Sequence, residues 1–359
     1  MPALPDTLAP RLLRWYDAGS RTLPWRSDPR PYYVWLSEIM LQQTRVEAAT
    51  PYFERFIREL PTIADLAAAP EQQLLKLWEG LGYYNRARNL QKAARIVVDN
   101  YGGELPADFS ALLQLPGIGR YSAGAIASIA FGIPVPAVDG NVLRVLSRVL
   151  ENPAEIDREE TKRQMGEAIR QQIPEDRPGD FNQALMELGA MVCLPNGAPR
   201  CEECPLKEIC LAFQHETIPE YPRKAPKKAR RCEARTVLVL FREGEVAIHQ
   251  RPATGLLRGL WELPNVEGTL SEQDLAATLS GWGLIPQSSA LPLGSAKHIF
   301  THLEWQMTGW GVAVRGNTDS LLFVHPDRLR EEFCLPSAFR AYSARISDLA
   351  KEFLDDNHS

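Results

Sequence analysis

The chain has no long hydrophobic run. Its longest apolar stretch, from Ala123 to Val138, is interrupted by Gly132, Pro134 and Pro136, and the first twenty residues hold no unbroken apolar segment. A bilayer-spanning helix needs about 20 consecutive apolar residues, and a secretory signal needs its own apolar centre. The expectation is therefore a cytoplasmic protein without a membrane partner. Low-complexity tracts are missing too, since the 24 glycines and 28 prolines are dispersed, which excludes fibrous and wholly disordered classes. Positive charge is not in excess. Forty Lys and Arg stand against 45 Asp and Glu, a net charge of −5, which argues against a globally basic nucleic-acid coat and leaves room for a local basic face. Cysteine is scarce, yet four of the six lie within residues 193–210. In a long chain without a visible leader that clustering favours a metal or cluster site over disulfides. Cys232 and Cys334 stand apart and read as free thiols.

At roughly 150 residues per domain, 359 residues suggest two to three domains. Up to about residue 215 no alternating Val/Ile strand occurs. Apolar residues recur at helical spacing in Val34 to Val46, Gln72 to Gly80, Ala87 to Asp99 and Asp108 to Leu115. Residues Pro219 to Arg231 contain three prolines and six Lys/Arg against one Glu, which suits an extended, solvated linker. The texture then changes. Arg235 to Phe241 and Glu245 to Arg251, separated by a turn with Gly244, read as a β-hairpin, and Phe300 to Val314 carries strand-like segments. Helices are expected over Ser271 to Trp282, with Ser271 as N-cap, and over Ser337 to Leu354. The expected organisation is a mainly α part over 1–215, a basic linker over 216–233 and an α+β domain over 234–359.

Three local features carry chemistry. In Leu115-Pro-Gly-Ile-Gly-Arg-Tyr-Ser-Ala123, Gly117 and Gly119 let the backbone turn sharply and leave amides free at the start of a helix, where a phosphate can be held. An ordinary helix-helix turn would use glycine the same way. The cysteines Cys193, Cys201, Cys204 and Cys210 form a C-x7-C-x2-C-x5-C array; four thiolates so spaced can wrap a tetrahedral zinc or an iron-sulfur cube, and spacing does not choose between them. Glu38 has apolar neighbours Leu36, Ile39 and Met40. A partly desolvated carboxyl gains a raised pKa, which a general acid needs.

LPGIGRYSAG resembles the helix-hairpin-helix of DNA base-excision glycosylases, over about residues 110–130. The cysteine array is similar to the C-x6-C-x2-C-x5-C loop of endonuclease III and MutY-type glycosylases, with a first gap one residue longer here, and that likeness implies one 4Fe-4S cluster. LPWR from Leu23 to Arg26 and SEIMLQQT from Ser37 to Thr44 look like MutY-type adenine DNA glycosylases, which remove adenine mispaired with 8-oxoguanine. The resemblance implies a helical helix-hairpin-helix glycosylase fold with a cluster loop over 193–210. It further implies that Glu38 protonates the adenine, that Asp139 stabilises the oxocarbenium-like sugar, and that Tyr121 lies beside that sugar. Gln43, Thr44, Leu81, Tyr83 and Arg86 would meet the DNA, the Gly117 and Gly119 amides its backbone. Arg26, Trp25, Gln183 and Met186 would line the adenine pocket, although Trp25, Leu81 and Met186 would serve equally as core side chains.

In the last third, Gly259-Leu-Trp-Glu-Leu-Pro264 after the hairpin resembles a Nudix fold, whose enzymes hold magnesium on clustered carboxylates. Leu275 to Ile285 contains no carboxylate, so pyrophosphohydrolysis is not expected. In MutY-type proteins this domain helps to recognise 8-oxoguanine through a Phe-Ser-His turn, and Phe300, Thr301 and His302 stand at that position. The implied partner is double-stranded DNA with A:8-oxoguanine or A:G mispairs, and a monomer is expected because nothing in the sequence resembles a dimer zipper. A bifunctional lyase of the endonuclease III kind would need a lysine amine where Tyr121 stands. For a non-catalytic iron-sulfur sensor, Glu38 and Asp139 would be surplus.

Overall fold

Residues 3–226 and 229–355 are described by a computed structural model; Lys227 and Lys228 of the expected linker lie outside them. The helical periodicities become the helices Pro31–Leu41, Glu71–Leu77, Asn85–Tyr101 and Phe109–Leu113, and further helices span Leu8–Gly19, Val46–Glu59, Arg120–Phe131, Gly140–Val149, Glu159–Arg170 and Pro178–Met191. In Gly140–Val149 the apolar residues Val142, Val145, Leu146 and Val149 recur at three- and four-residue spacing and are buried, as an amphipathic helix requires. They meet Leu8, Leu12, Phe181, Leu185 and Leu188 in one core. The Pro31–Leu41 helix packs on Arg120–Phe131, which packs on Pro178–Met191, which in turn packs on Gly140–Val149. No helix among the described residues is long and apolar enough to cross a membrane.

Backbone contacts divide the chain into two compact units, Met1–Ala69 with Asn85–Pro226, and Pro70–Tyr84 with Lys227–Ser359. The second unit takes a segment that chain order assigns to the helical part. It is built on eight strands among the described residues: β1 (Arg231–Arg242), β2 (Glu245–Gln250), β3 (Trp261–Glu262), β4 (Asn265–Glu267), β5 (Leu284–Pro286), β6 (Leu291–Ile299), β7 (Leu303–Gly316) and β8 (Leu322–Val324). Along the sheet the order is β3-β2-β1-β7-β5, with β4 pairing β1, β6 pairing β7 and β8 pairing β2. The hairpin expected around Gly244 is present, with Phe241 opposite Val246. β1 runs parallel to β7, Arg231 opposite Leu303 through Phe241 opposite Ala313.

β1 is the buried centre of this sheet, and successive side chains point to opposite faces. Val237, Val239 and Phe241 enter one core with Trp305, Leu329, Phe339 and Phe353, whereas Leu238 and Leu240 enter another with Leu275 and Leu279. This explains the unbroken apolar run in the sequence. Ser271 caps the Glu272–Gly281 helix through a capping box with Asp274. The helix expected over Ser337 to Leu354 is instead broken into Ser337–Phe339, Arg340–Ser343 and Ile346–Asp355.

Candidate active site

The helix expected over Val34 to Val46 stops at Leu41, and the cause is visible. Arg86 Nη1 donates to the carbonyls of Ile39, Met40 and Gln42 at 2.8, 3.0 and 2.6 Å, satisfying acceptors that a helix end leaves orphaned. Gln43 then turns with φ 62° and is exposed, ahead of the Val46–Glu59 helix. Arg86 is thus engaged in shaping the turn that presents Gln43 and Thr44.

Glu38 sits on the buried side of the Pro31–Leu41 helix, 6% exposed. Tyr121, near the start of Arg120–Phe131, donates its hydroxyl hydrogen to Glu38 Oε2 and lies 3.4 Å from Met186 Sδ. Burial pushes the Glu38 carboxyl up to about 7, the Tyr121 bond and the Arg26 charge oppose the rise, and the charge of Asp139 adds to it. A carboxyl with such a pKa is half-protonated at neutrality and can deliver a proton there.

Asp139 precedes the Gly140–Val149 helix and caps it. Oδ1 accepts from Val142 N–H at 2.7 Å, and Oδ2 accepts from Asn141 Nδ2 at 2.7 Å. Burial raises this carboxyl above its ordinary value, against the pull of those hydrogen bonds and of Arg144. Two hydrogen bonds and a helix N-terminus favour the charged form and oppose that rise. Behind it, Arg144 Nη2 donates to Asn141 Oδ1 at 2.8 Å and to the Gly189 carbonyl at 2.7 Å, and Nε donates to the Cys193 carbonyl at 2.7 Å. This close crossing requires glycine at 189, where a Cβ would stand 2.5 Å from Asn141 Cβ.

Sequence reasoning missed a buried group that steers Arg26. Glu187, 2% exposed, accepts from Arg21 Nε at 2.8 Å and Arg26 Nη2 at 2.9 Å. Burial pushes its carboxyl up, yet the two guanidinium groups hold it down at about 2. Arg26 is steered by that ion pair, and its Nε donates to Gln183 Oε1 at 3.0 Å. An acidic residue inside the apolar helix FNQALMELGA was the available signal. Trp25 is buried and meets Phe53 edge-on at 5.1 Å.

At the turn before Arg120–Phe131, Gly117 has φ 82°, and a Cβ there would lie 2.8 Å from Asn89 Cβ; Gly119 is the N-cap. Both glycines are exposed, as a phosphate-binding turn requires.

The four clustered cysteines are free and half-buried. Together with Val145, Arg148, Leu188 and Phe213 they line one pocket. Arg148 Nη1 reaches Cys193 Sγ at 3.2 Å. Burial pushes the Cys204 thiol up to about 12 and the Cys210 thiol up to about 11, and the neighbouring thiols act in the same direction. Among the described residues no three His, Cys, Asp or Glu side chains converge on one metal-ion position. Four thiols lining one pocket are a donor set that a metal centre can use.

In the second unit Thr301 and His302 are exposed in the turn between β6 and β7. Phe300 is half-buried, edge-on to His298 at 4.6 Å and to Trp305 at 4.9 Å, so it braces the turn from within. Tyr83 is 53% exposed and Leu81 buried; of these two, Tyr83 is the one that projects.

Known proteins resemble this chain in sequence and fold. Residues 36–171 match the family described as HhH-GPD superfamily base excision DNA repair protein, and residues 236–345 match a NUDIX domain. The adenine DNA glycosylase of Homo sapiens is 39% identical over 366 aligned positions, covering 86% of this chain and 67% of the relative. That of Arabidopsis thaliana is 41% identical, covering 74% and 48%. Among solved structures, a thermostable thymine-DNA glycosylase superposes with TM-score 0.53 at 28% identity over 58% of this chain and 96% of its own. A trapped endonuclease III-DNA covalent intermediate gives TM-score 0.51 at 25% identity over 59% and 99%.

Proposed function

The chain belongs to the adenine DNA glycosylase family, and on that premise we propose that it excises adenine paired with 8-oxoguanine or guanine by a monofunctional, acid-catalysed hydrolysis. It is an enzyme of N-glycosyl bond hydrolysis in base excision repair. The observation that carries the finer reading is Glu38, a buried carboxyl at about 7, hydrogen-bonded by Tyr121 and within the field of Asp139. Breaking the bond leaves negative charge on the base and positive charge on the sugar, so one carboxylic acid must give a proton and one carboxylate must stay charged. Glu38 has the environment of the acid. Asp139, hydrogen-bonded at a helix start, has that of the carboxylate.

A duplex hides both reacting atoms, so the adenine must leave the stack at a cost of roughly a few kcal/mol. Gln43 and Tyr83 are the exposed side chains available to occupy the vacated space. The Gly117 and Gly119 amides fit a DNA phosphate, and Arg26 and Gln183 fit the polar edge of the base. Tyr121 cannot form the Schiff base of a lyase. Cys193, Cys201, Cys204 and Cys210 would hold one 4Fe-4S cluster, keeping their loop in shape beside Arg144 and Arg148. Thr301 and His302 would read the oxidised guanine. Incubation with duplexes carrying A opposite 8-oxoguanine tests the reading: free adenine with an intact strand supports it, strand scission without alkali supports a lyase, and binding without base release overturns catalysis.

A further inference from the structure

The segment Pro70–Tyr84 is flanked on both sides by the helical unit, yet its contacts assign it to the second one. Polar groups contribute to the attachment. Lys76 Nζ donates to Glu79 Oε2 at 2.7 Å and to the Phe333 carbonyl at 2.9 Å, and Glu79 Oε1 accepts from the Leu335 N–H at 2.7 Å. Gln72 Nε2 donates to the Glu332 carbonyl at 3.0 Å. The Lys76 and Glu79 side chains are only 23% and 31% exposed, so this ion pair is less screened than one on the open surface. The main chain from Glu332 to Leu335, just past the Pro326–Glu332 helix, is thus gripped by the Glu71–Leu77 helix and by Glu79 beyond its end.

The loop after Glu79 carries one strained position, Tyr83. Gly80, Gly82 and Tyr83 have φ of 100°, 68° and 49°, and a bulky aromatic in the left-handed region persists only where its surroundings over-determine it. Trp78 Nε1 donates to the Gly82 carbonyl at 3.1 Å. At the tip, the Tyr83 hydroxyl stands 3.3 Å from Thr301 Oγ1. Glu79 therefore fixes the loop at its start and Thr301 meets it at its tip, within the same unit. We propose that Lys76 and Glu79 form a latch that holds Tyr83 in register with Thr301, so that the residue inserted into DNA and the reader of the opposite base act as one platform whose integrity sets the preference for oxidised guanine. Lys76 and Glu79 are positioning residues in this scheme, which rests on the reading of Thr301 and His302 as contacts to 8-oxoguanine.

The test compares Glu79→Ala, Glu79→Gln and Lys76→Met in the full chain, by single-turnover excision of adenine opposite 8-oxoguanine and opposite guanine at fixed salt. Loss of the charged hydrogen bonds is expected to narrow the 8-oxoguanine to guanine rate ratio about tenfold in Glu79→Ala and in Lys76→Met. Glu79→Gln, whose amide oxygen still accepts from Leu335, should recover part of it. Hydrogen exchange at the Leu335 amide should accelerate in Glu79→Ala and stay slow in Glu79→Gln. Equal slowing on both duplexes, or an unchanged ratio, overturns the latch, and if Glu79→Ala fails to fold, the other two variants decide. Thr301→Ala with His302→Ala separates the premises: a ratio narrowed there but not by the latch variants defeats the latch alone, and a ratio unmoved there defeats the reader.

Discussion

The Tyr121 hydroxyl donates to the Glu38 carboxylate across 83 residues of sequence, and the bond has a direction of effect. It favours the ionised form and so lowers a pKa that burial has raised to about 7. Tyr121→Phe should therefore let the Glu38 pKa climb further, and the alkaline limb of the single-turnover pH profile should move to higher pH. A limb that stays in place or moves down would remove Tyr121 from this role.

Glu38→Gln keeps the shape and cannot give the proton. Excision should fall by at least about a thousandfold while duplex binding survives. Stability should change in the opposite sense. A carboxyl whose pKa is raised from 4.5 to about 7 on folding contributes stability that is complete below 4.5 and is lost as pH rises through 7, on the order of 3 kcal/mol by pH 8. Thermal unfolding at pH 8 should thus find Glu38→Gln more stable than the native chain, with the difference vanishing near pH 4. An equal Tm at both pH values would contradict the buried, uncharged Glu38.

Asp139 caps a helix and is also the candidate counter-charge, and Asn separates the two. Asparagine caps as well as aspartate, so Asp139→Asn should fold with nearly native Tm. Its excision rate should drop about a hundredfold or more, because an amide supplies no charge to the developing cation. A fully active Asn variant would leave Asp139 as a cap alone.

Cys204→Ser should yield protein depleted in iron and acid-labile sulfide, with weakened DNA binding. The Cys193 carbonyl is bonded to Arg144, which holds Asn141 against Asp139, so disorder in the loop also reaches the start of the Gly140–Val149 helix. Full binding with no iron would show that the loop is independent of the DNA surface.

Thr301→Ala combined with His302→Ala should narrow the 8-oxoguanine to guanine preference by around ten- to a hundredfold, the scale of one or two base-edge hydrogen bonds. Both duplexes must be compared at one salt concentration, since phosphate contacts make affinity salt-dependent. An unchanged ratio would leave the turn without a reading role.

Local grammar carried much of this molecule. The helices around Glu38 and Asp139, the hairpin at Gly244 and the cap at Ser271 arise from periodicity and turn chemistry that act within a few residues. Interactions between distant positions did not show in that way. Glu187 meets Arg21 and Arg26 at separations of 166 and 161 residues, and an isolated Glu in an apolar helix does not say which cation it meets. β6 escaped notice because Leu291–Ile299 contains Pro292 and Gly294, both poor strand formers, and pairs across a bulge at those residues. The halt at Leu41 came from Arg86, whose position in the fold no window around residue 41 contains.

The attachment of Lys76 and Glu79 has a consequence for the order in which the molecule is made. Their main-chain partners at Phe333 and Leu335 lie 257 and 256 positions downstream, and domains emerging from the ribosome fold in the order they appear. Everything that shapes Glu38, Asp139 and the cysteine loop is synthesised before residue 226. The contacts that fasten the Tyr83 loop arrive only with the end of the chain, at a long and therefore slow closure. A growing chain thus completes the surroundings of Glu38 and Asp139 before it can close the contacts of Lys76 and Glu79.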